Sequence, residues 1–401
     1  MITVDEARTR ILAGLRPTGA EIVPLADAWR RVTAAPIVSR VTQPPQDVSA
    51  MDGYAVRAAD GTLGAVLHVV GSAPAGHPWA GTLQPGEAVR LFTGSIMPQG
   101  TDSVLLQEDA TRDGDRVTVN DPVTPRRHVR AVGQDFGTGD VLIQAGVRLN
   151  ARHIGLIAAA NHPWVTVRRR PVIAIMATGD EIALPGEPIP PGGIVSSNSH
   201  ALATLVTAVG GEPMVLPVAP DDRAAIADAS DAAAKADMLV TAGGASVGEH
   251  DLVQSALCDR GLTLDFWKIA MRPGKPLMFG SLGQIPLLGL PGNPVSSLVT
   301  AILFLAPAIG RLSGLANEPL PVSQALLGAP LKANDHRADH LRAKLAIAED
   351  GSVTATAFSR QDSGMLRLLV DADALILRAP EAPALEAGAT VSIIRLDMFG
   401  I

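Results

Sequence analysis

Glu181, Asp221 and Asp251 each stand where an apolar run gives way to a turn. The turns read Thr178-Gly-Asp-Glu181, Asp221-Asp222 and Thr241-Ala-Gly-Gly-Ala-Ser-Val-Gly-Glu-His-Asp251. At the carboxyl ends of strands in an open α/β sheet, such side chains converge on one rim. Carboxylate oxygens beside a phosphate are ordinary ligands of Mg²⁺ or another divalent cation. Each acid alone serves equally as the cap of the helix that follows it. Repetition at successive strand ends is what points to a metal.

The third turn is dense in glycine, with Gly243, Gly244 and Gly248 around Ser246. Bare backbone N–H groups and a hydroxyl there would cradle a phosphate. The spacing is neither the dinucleotide fingerprint nor the P-loop, and a tight structural turn is an equal reading. Downstream, Lys268, Arg272 and Lys275 fall within eight residues, and Pro273-Gly274 excludes a helix between them. Their neighbours Phe266, Trp267, Ile269, Ala270, Met271, Leu277 and Met278 are apolar, so these charges need a partner. Arginine offers a planar fork and lysine a point charge to a tetrahedral oxyanion. A second cluster, Arg337, Asp339 and Arg342, reads alone as surface charge, and Ser363-Gly364 as the start of a short helix with a hydroxyl and N–H groups open to an anion. No histidine or cysteine spacing matches a zinc site, and no nucleophile elbow is present.

These turns need elements to hold them. Residues 171–318 alternate strand and helix as a mostly parallel α/β domain, with the apolar run Val172–Ala177 as its first strand. In it, Leu264–Ala270 and Pro276–Phe279 read as strands, Gly280–Gly283 as a hairpin turn, and Pro294 to Ile309 as a buried core helix too short for a membrane span. Residues 41–139 break into short apolar runs between Gly, Pro and Asp turns, a small inserted β domain. It interrupts a mixed helical and extended domain, residues 1–40 plus 140–170, with Thr3 and Asn150 as helix caps. Residues 319–401 are strand-rich again.

The chain has 401 residues, so several domains are expected. A net charge of −7 and 3% aromatic content argue against a nucleic-acid partner. The tightest basic run, Arg168–Arg170, reads as a solvated strand edge. A single cysteine, Cys258, fits a cytoplasmic protein, and the N-terminus lacks the apolar run of a signal peptide.

Six segments in order complete the pattern: Ser49-Ala-Met-Asp-Gly-Tyr-Ala55, Phe92-Thr-Gly-Ser95, Thr178–Glu181, the glycine turn to Asp251, Arg272-Pro-Gly-Lys-Pro276 and Leu290-Pro-Gly-Asn-Pro-Val-Ser296. Together they resemble the MoeA family of molybdopterin molybdenumtransferases and the C-terminal region of gephyrin. The resemblance implies a four-domain fold with a β-barrel-like C-terminal domain, in an elongated homodimer. It also implies insertion of molybdenum from molybdate into adenylylated molybdopterin with release of AMP, assisted by a divalent cation. Asp221, Asp251 and Glu181 match the metal and pyrophosphate region. Arg272, Lys275, Pro276, Ser296, Arg342 and Ser363 match the molybdate pocket, with the alignment of Arg337 against Arg342 open. Asp52, Thr93 and Asp135 match functional positions of the inserted domain that face the partner subunit's cleft, and Lys268 matches a functional lysine. The chain departs from the common pattern at Arg272, where lysine is frequent, at Ala242 and Ala245, and at Asp362. A tungstate-handling paralogue, the pathway's adenylyltransferase and a non-catalytic scaffold are the alternatives.

Overall fold

The computed structural model describes residues 1–243, 252–315 and 319–400. The helix Val4–Ala13 starts at Thr3, whose hydroxyl accepts from the Glu6 N–H at 3.1 Å. Its buried residues Ala7 and Ile11, with Leu15, join the core of the α/β domain and not that of the first domain. A parallel bridge between Ile2 and Ile269 fixes this docking. The rest of the first domain is a ribbon of Ala20–Pro24 with Trp164–Arg168, and the helix Ala151–Ala159. Asn150 caps that helix in a box with His153.

Six strands form the inserted sheet, in the order Ser103–Leu106, Gly53–Val56, Glu87–Leu91, Val66–Ala73, Arg116–Val119, Ala110–Asp113. Apolar side chains fill both of its faces.

The central sheet runs Glu212–Val215, Val172–Ala177, Met238–Ala242, Ile285–Leu290, Met278–Leu282, Leu262–Trp267. The first four strands are parallel and the last two pair antiparallel at one edge. In Val172–Ala177 the alternation is hidden in a continuous apolar run. Ile173 and Ile175 enter one core and Ala174 and Met176 the other, because helices cover both faces. The hairpin turn falls later than the sequence suggested. Gly280 lies inside a strand, where a Cβ would stand 2.2 Å from the Thr263 carbonyl, and Gly283 makes the turn at φ +61°. The helix from Pro294 is also longer than read, reaching Leu312 over 19 residues. It is apolar enough to cross a membrane, yet 83% of its most apolar window is buried in the protein, as befits a core helix.

At the C-terminus, Ala338–Ile347, Val353–Ala357, Val322–Leu327, Thr390–Arg395 and Ala374–Arg378 close into a five-stranded barrel. The α/β domain lends this barrel a short parallel strand, Met271–Arg272, which aligns Arg272 with Asp339. That seam carries the chemistry-bearing loops. Arg168–Arg170 also prove to be a seam, not a solvated edge. Arg169 forks onto Asp237 at 2.9 and 2.7 Å, and Asp237 also accepts from the Val172 N–H at 2.7 Å.

Candidate functional site

The parallel strands deliver their turns to one rim. Thr178 bridges Ala219, and the Gly179 N–H donates to the Ala219 carbonyl at 3.1 Å, so the two turns lie side by side. The Asp221 N–H donates to Asp180 Oδ1 at 3.0 Å. Asp222, not Asp221, caps the next helix, accepting from the Ala225 N–H at 2.9 Å. Asp221 is therefore an exposed carboxylate with no capping role. Glu181 is exposed too, folded over Gly179, where a Cβ would come within 2.5 Å of Oε2. Gly243 adopts φ +111° and its N–H donates to the Leu290 carbonyl at 3.2 Å, tying the glycine turn to the Leu290–Ser296 loop. Gly244, Ser246, Gly248 and Asp251 lie outside the described residues. Among the described residues no three acids, histidines or cysteines converge as a metal site.

The next loop folds against the long helix. Lys268 sits at φ +73°, a conformation that is uncommon outside glycine, and its N–H donates to the Leu277 carbonyl at 3.0 Å. Its Nζ lies 4.1 Å from the Trp267 ring centroid, a cation–π contact. Gly274, at φ +111°, leaves no room for a Cβ, which would stand 2.4 Å from Thr300 Cγ2. Thr300 in turn donates to the Ser296 carbonyl at 2.7 Å. The loop that carries Lys275 and Pro276 is thus packed on Thr300, one turn beyond the buried Ser296. Lys275 is exposed and has no ion-pair partner among the described residues.

Two arginines of the seam are neutralised. Arg272 donates from Nε and Nη2 to Asp339 at 3.0 and 2.7 Å, and its Nη1 lies 3.7 Å from Asp335. Arg337 donates to Asp335 at 3.2 and 2.6 Å, and this hydrogen bonding holds the Asp335 carboxyl well below the usual carboxylate range.

Arg342 differs. It is 1% exposed, its Nε donates to Gln361 Oε1 at 3.2 Å, and its Nη1 makes a long 3.4 Å bond to the Met365 carbonyl. Its Nη2 is buried without a hydrogen-bond partner among the described residues. Burial pushes its pKa below the usual arginine value. Beside it, Ser363 Oγ accepts from Asn293 Nδ2 at 2.9 Å, and the Ser363 carbonyl accepts from the Val295 N–H at 3.1 Å. Arg342, Ser363 and the Ser296 turn are thereby gathered. Ser363-Gly364 does not open a helix. Asp362 Oδ1 takes the Gly364 N–H at 2.7 Å, and the short helix Leu366–Val370 begins only after Met365.

On the inserted domain, Asp52 Oδ1 accepts from the Thr93 N–H at 2.7 Å and its hydroxyl at 2.8 Å. These bonds, the backbone one foremost, lower the Asp52 pKa. Asp135 is exposed in a loop whose N–H donates to the Gln43 carbonyl at 3.0 Å. Among the described residues no hydrogen bond joins Asp52, Thr93 or Asp135 to the α/β–barrel seam.

Sequence reasoning passed over Asn293, Asp335 and Gln361. Asn293 stands inside the Leu290–Ser296 motif and Gln361 immediately precedes Asp362, but nothing in their spacing announces a partner. A cavity of about 1530 Å³ lies between the N-terminal helix, the long helix and the barrel, and none of the candidate site residues lines it.

Comparison with known proteins covers the chain end to end. Residues 2–161 match the MoeA N-terminal region (domain I and II), 174–311 a probable molybdopterin binding domain, and 324–396 the MoeA C-terminal region (domain IV). A molybdopterin molybdenumtransferase of Haemophilus influenzae is 35% identical over 397 residues, 98% of each chain. One from Nostoc is 41% identical over 311 residues, 75% of this chain and 71% of that one. A solved molybdopterin biosynthesis MoeA protein from Pyrococcus horikoshii superposes with a TM-score of 0.85 at 27% identity, covering 98% of this chain and 99% of that one.

Proposed function

The chain belongs to the molybdopterin molybdenumtransferase family, the MoeA family, and on that premise we propose that it inserts molybdenum from molybdate into adenylylated molybdopterin and releases AMP. The observation that carries this reading is the Arg342 guanidinium, buried with an open Nη2 and held by Gln361 and Met365 on either side of Ser363 in the chain. Asp362 is the acid that Arg342 feels through space, without a direct ion pair among the described residues, so the cation stays costly to bury, and a tetrahedral oxyanion in contact would offset that cost. Arg342, Ser363, Ser296 and Lys275 hold molybdate, Arg272 offers its Nη1 edge, and Pro276 shapes the loop. Arg342 is favoured over Arg337 because Asp335 already satisfies Arg337.

Gly243, Gly244, Gly248 and Ser246 cradle the pyrophosphate of the adenylylated pterin. The adjoining Asp221 and Glu181 turns present the exposed oxygen donors that suit Mg²⁺. With Asp251 they would hold that ion, which when bound neutralises pyrophosphate charge and polarises the bond that is hydrolysed. Lys268 adds positive charge at the head of the oxyanion loop. The protein's contribution is to fix both guests in proximity, without a covalent nucleophile. A cytoplasmic homodimer would bring Asp52, Thr93 and Asp135 of one copy to the cleft of the other.

The test supplies purified protein with adenylylated molybdopterin, molybdate and Mg²⁺. Coupled AMP release and molybdenum insertion are expected, and Arg342→Ala should lower insertion by roughly 100-fold. Consumption of ATP in place of AMP release would point to adenylyl transfer. Binding of neither molybdate nor AMP would leave a scaffold.

A further inference from the structure

Gln361 is wired to Arg342 through both polar atoms of its carboxamide. Oε1 accepts from the Arg342 backbone N–H at 3.0 Å and from Arg342 Nε at 3.2 Å. Nε2 donates to the Arg342 carbonyl at 3.0 Å and to the Phe358 carbonyl at 2.9 Å. Two donors and two acceptor sites are the full capacity of the group, so the network fixes which end is oxygen. The Nε contact also fixes rotation about the bond that carries the guanidinium plane. Of the remaining guanidinium positions, Nη1 makes only the long bond to Met365 and Nη2 makes none among the described residues.

This arrangement anchors Arg342 without an ion-pairing acid, Asp362 acting only through space. A carboxylate at position 361 would accept the same Nε–H and cancel the charge, as Asp339 does for Arg272. A neutral amide holds the fork and leaves the positive charge for a guest. We propose that Gln361 is the positioning residue of the oxyanion pocket: it orients Arg342 and keeps the Nη edge open. The inference rests on the assignment of Arg342 to molybdate. Gln361 itself need not touch the oxyanion, and its effect runs through Arg342.

Four variants test this with molybdate as the probe: Gln361→Met, Gln361→Glu, Arg342→Ala and the double variant Gln361→Met/Arg342→Ala. Molybdate affinity is measured by calorimetry, and steady-state insertion gives KM and kcat separately. Gln361→Met should raise the molybdate KM about tenfold, with kcat at saturating molybdate within about twofold of the parent. Gln361→Glu should lose more affinity than Gln361→Met, because its charge cancels that of Arg342 and its second oxygen faces the Arg342 and Phe358 carbonyls. The discriminating readouts are the KM-against-kcat split of Gln361→Met and the double variant. In the Arg342→Ala background, Gln361→Met should cost nothing further. Strong binding by the parent, weak binding by Arg342→Ala and unchanged binding by Gln361→Met would overturn the role of Gln361 alone. Equal binding by the parent and Arg342→Ala would overturn the oxyanion assignment, and the role of Gln361 with it.

Discussion

Arg272 and Arg342 meet the same barrel strand, Ala338–Ile347, three residues apart, and find opposite surroundings. Arg272 is half-exposed and forked onto Asp339, with Asp335 and Arg337 extending a chain of alternating charge. Arg342 is buried, hydrogen-bonds only neutral acceptors, feels Asp362 without pairing with it, and keeps one nitrogen open. In isolation the first arrangement is ordinary and the second is costly, since an unpaired buried charge is tolerated only where something repays it. The difference separates an arginine that joins two domains from the one we propose to receive an anion.

The sharpest way to break this comparison is to remove each arginine in turn. Arg342→Ala should lower molybdate-dependent turnover by roughly 100-fold or more, on the order of 3 kcal/mol. Arg272→Ala should cost about tenfold, because only its Nη1 edge remains to serve a guest. Equal losses in the turnover assay would erase the distinction.

His340 lies on the same strand between the two partners, and burial lowers its pKa to about 4 from 6.5. Above pH 6.5 both folded and unfolded chains carry the neutral ring. Between 6.5 and 4 only the unfolded chain binds the proton, so stability falls as pH drops through that window and levels off below it. The full effect is at most about 3 kcal/mol. His340→Leu should flatten this acid limb in calorimetric melts, and an unchanged limb would remove His340 as its source.

Asp339→Asn tests the neutralised side. It releases the Arg272 fork, so molybdate affinity should rise about threefold. The melting temperature should fall only slightly, because Arg272 is 47% exposed and such pairs contribute less than about 1 kcal/mol. The smallest effect is expected of Arg272→Lys, which keeps the charge and one bond to Asp339. Turnover should stay within about threefold, and a larger loss would mean that the planar fork itself matters.

What could be read from the sequence was local. Thr3 and Asn150 were legible as caps because capping chemistry depends on residues within one turn. Four of the six strands of the inserted sheet were legible because apolar runs and turn residues bound them, whereas Gly53–Val56 and the polar Ala110–Asp113 gave no such run. Gly280 and Gly283 look alike in sequence, yet one yields to a neighbouring strand's carbonyl and the other makes a left-handed turn. The seam role of Arg169 depends on Asp237, 68 residues away. The N-terminal helix joined a distant core through an apolar stripe that carries no address. At the site, the charge types of Arg272 and Arg342 were legible but their partners were not. Asp339 and Gln361 become their partners only once the barrel strand and the loop before the last helix are brought together.

A crystal structure with molybdate and AMP bound tests the contrast most directly. Oxyanion oxygens should lie within hydrogen-bond reach of Arg342 Nη2 and Ser363, with the Arg272–Asp339 fork intact. An anion seated on Arg272 with Asp339 displaced, and Arg342 left without a guest, would contradict it.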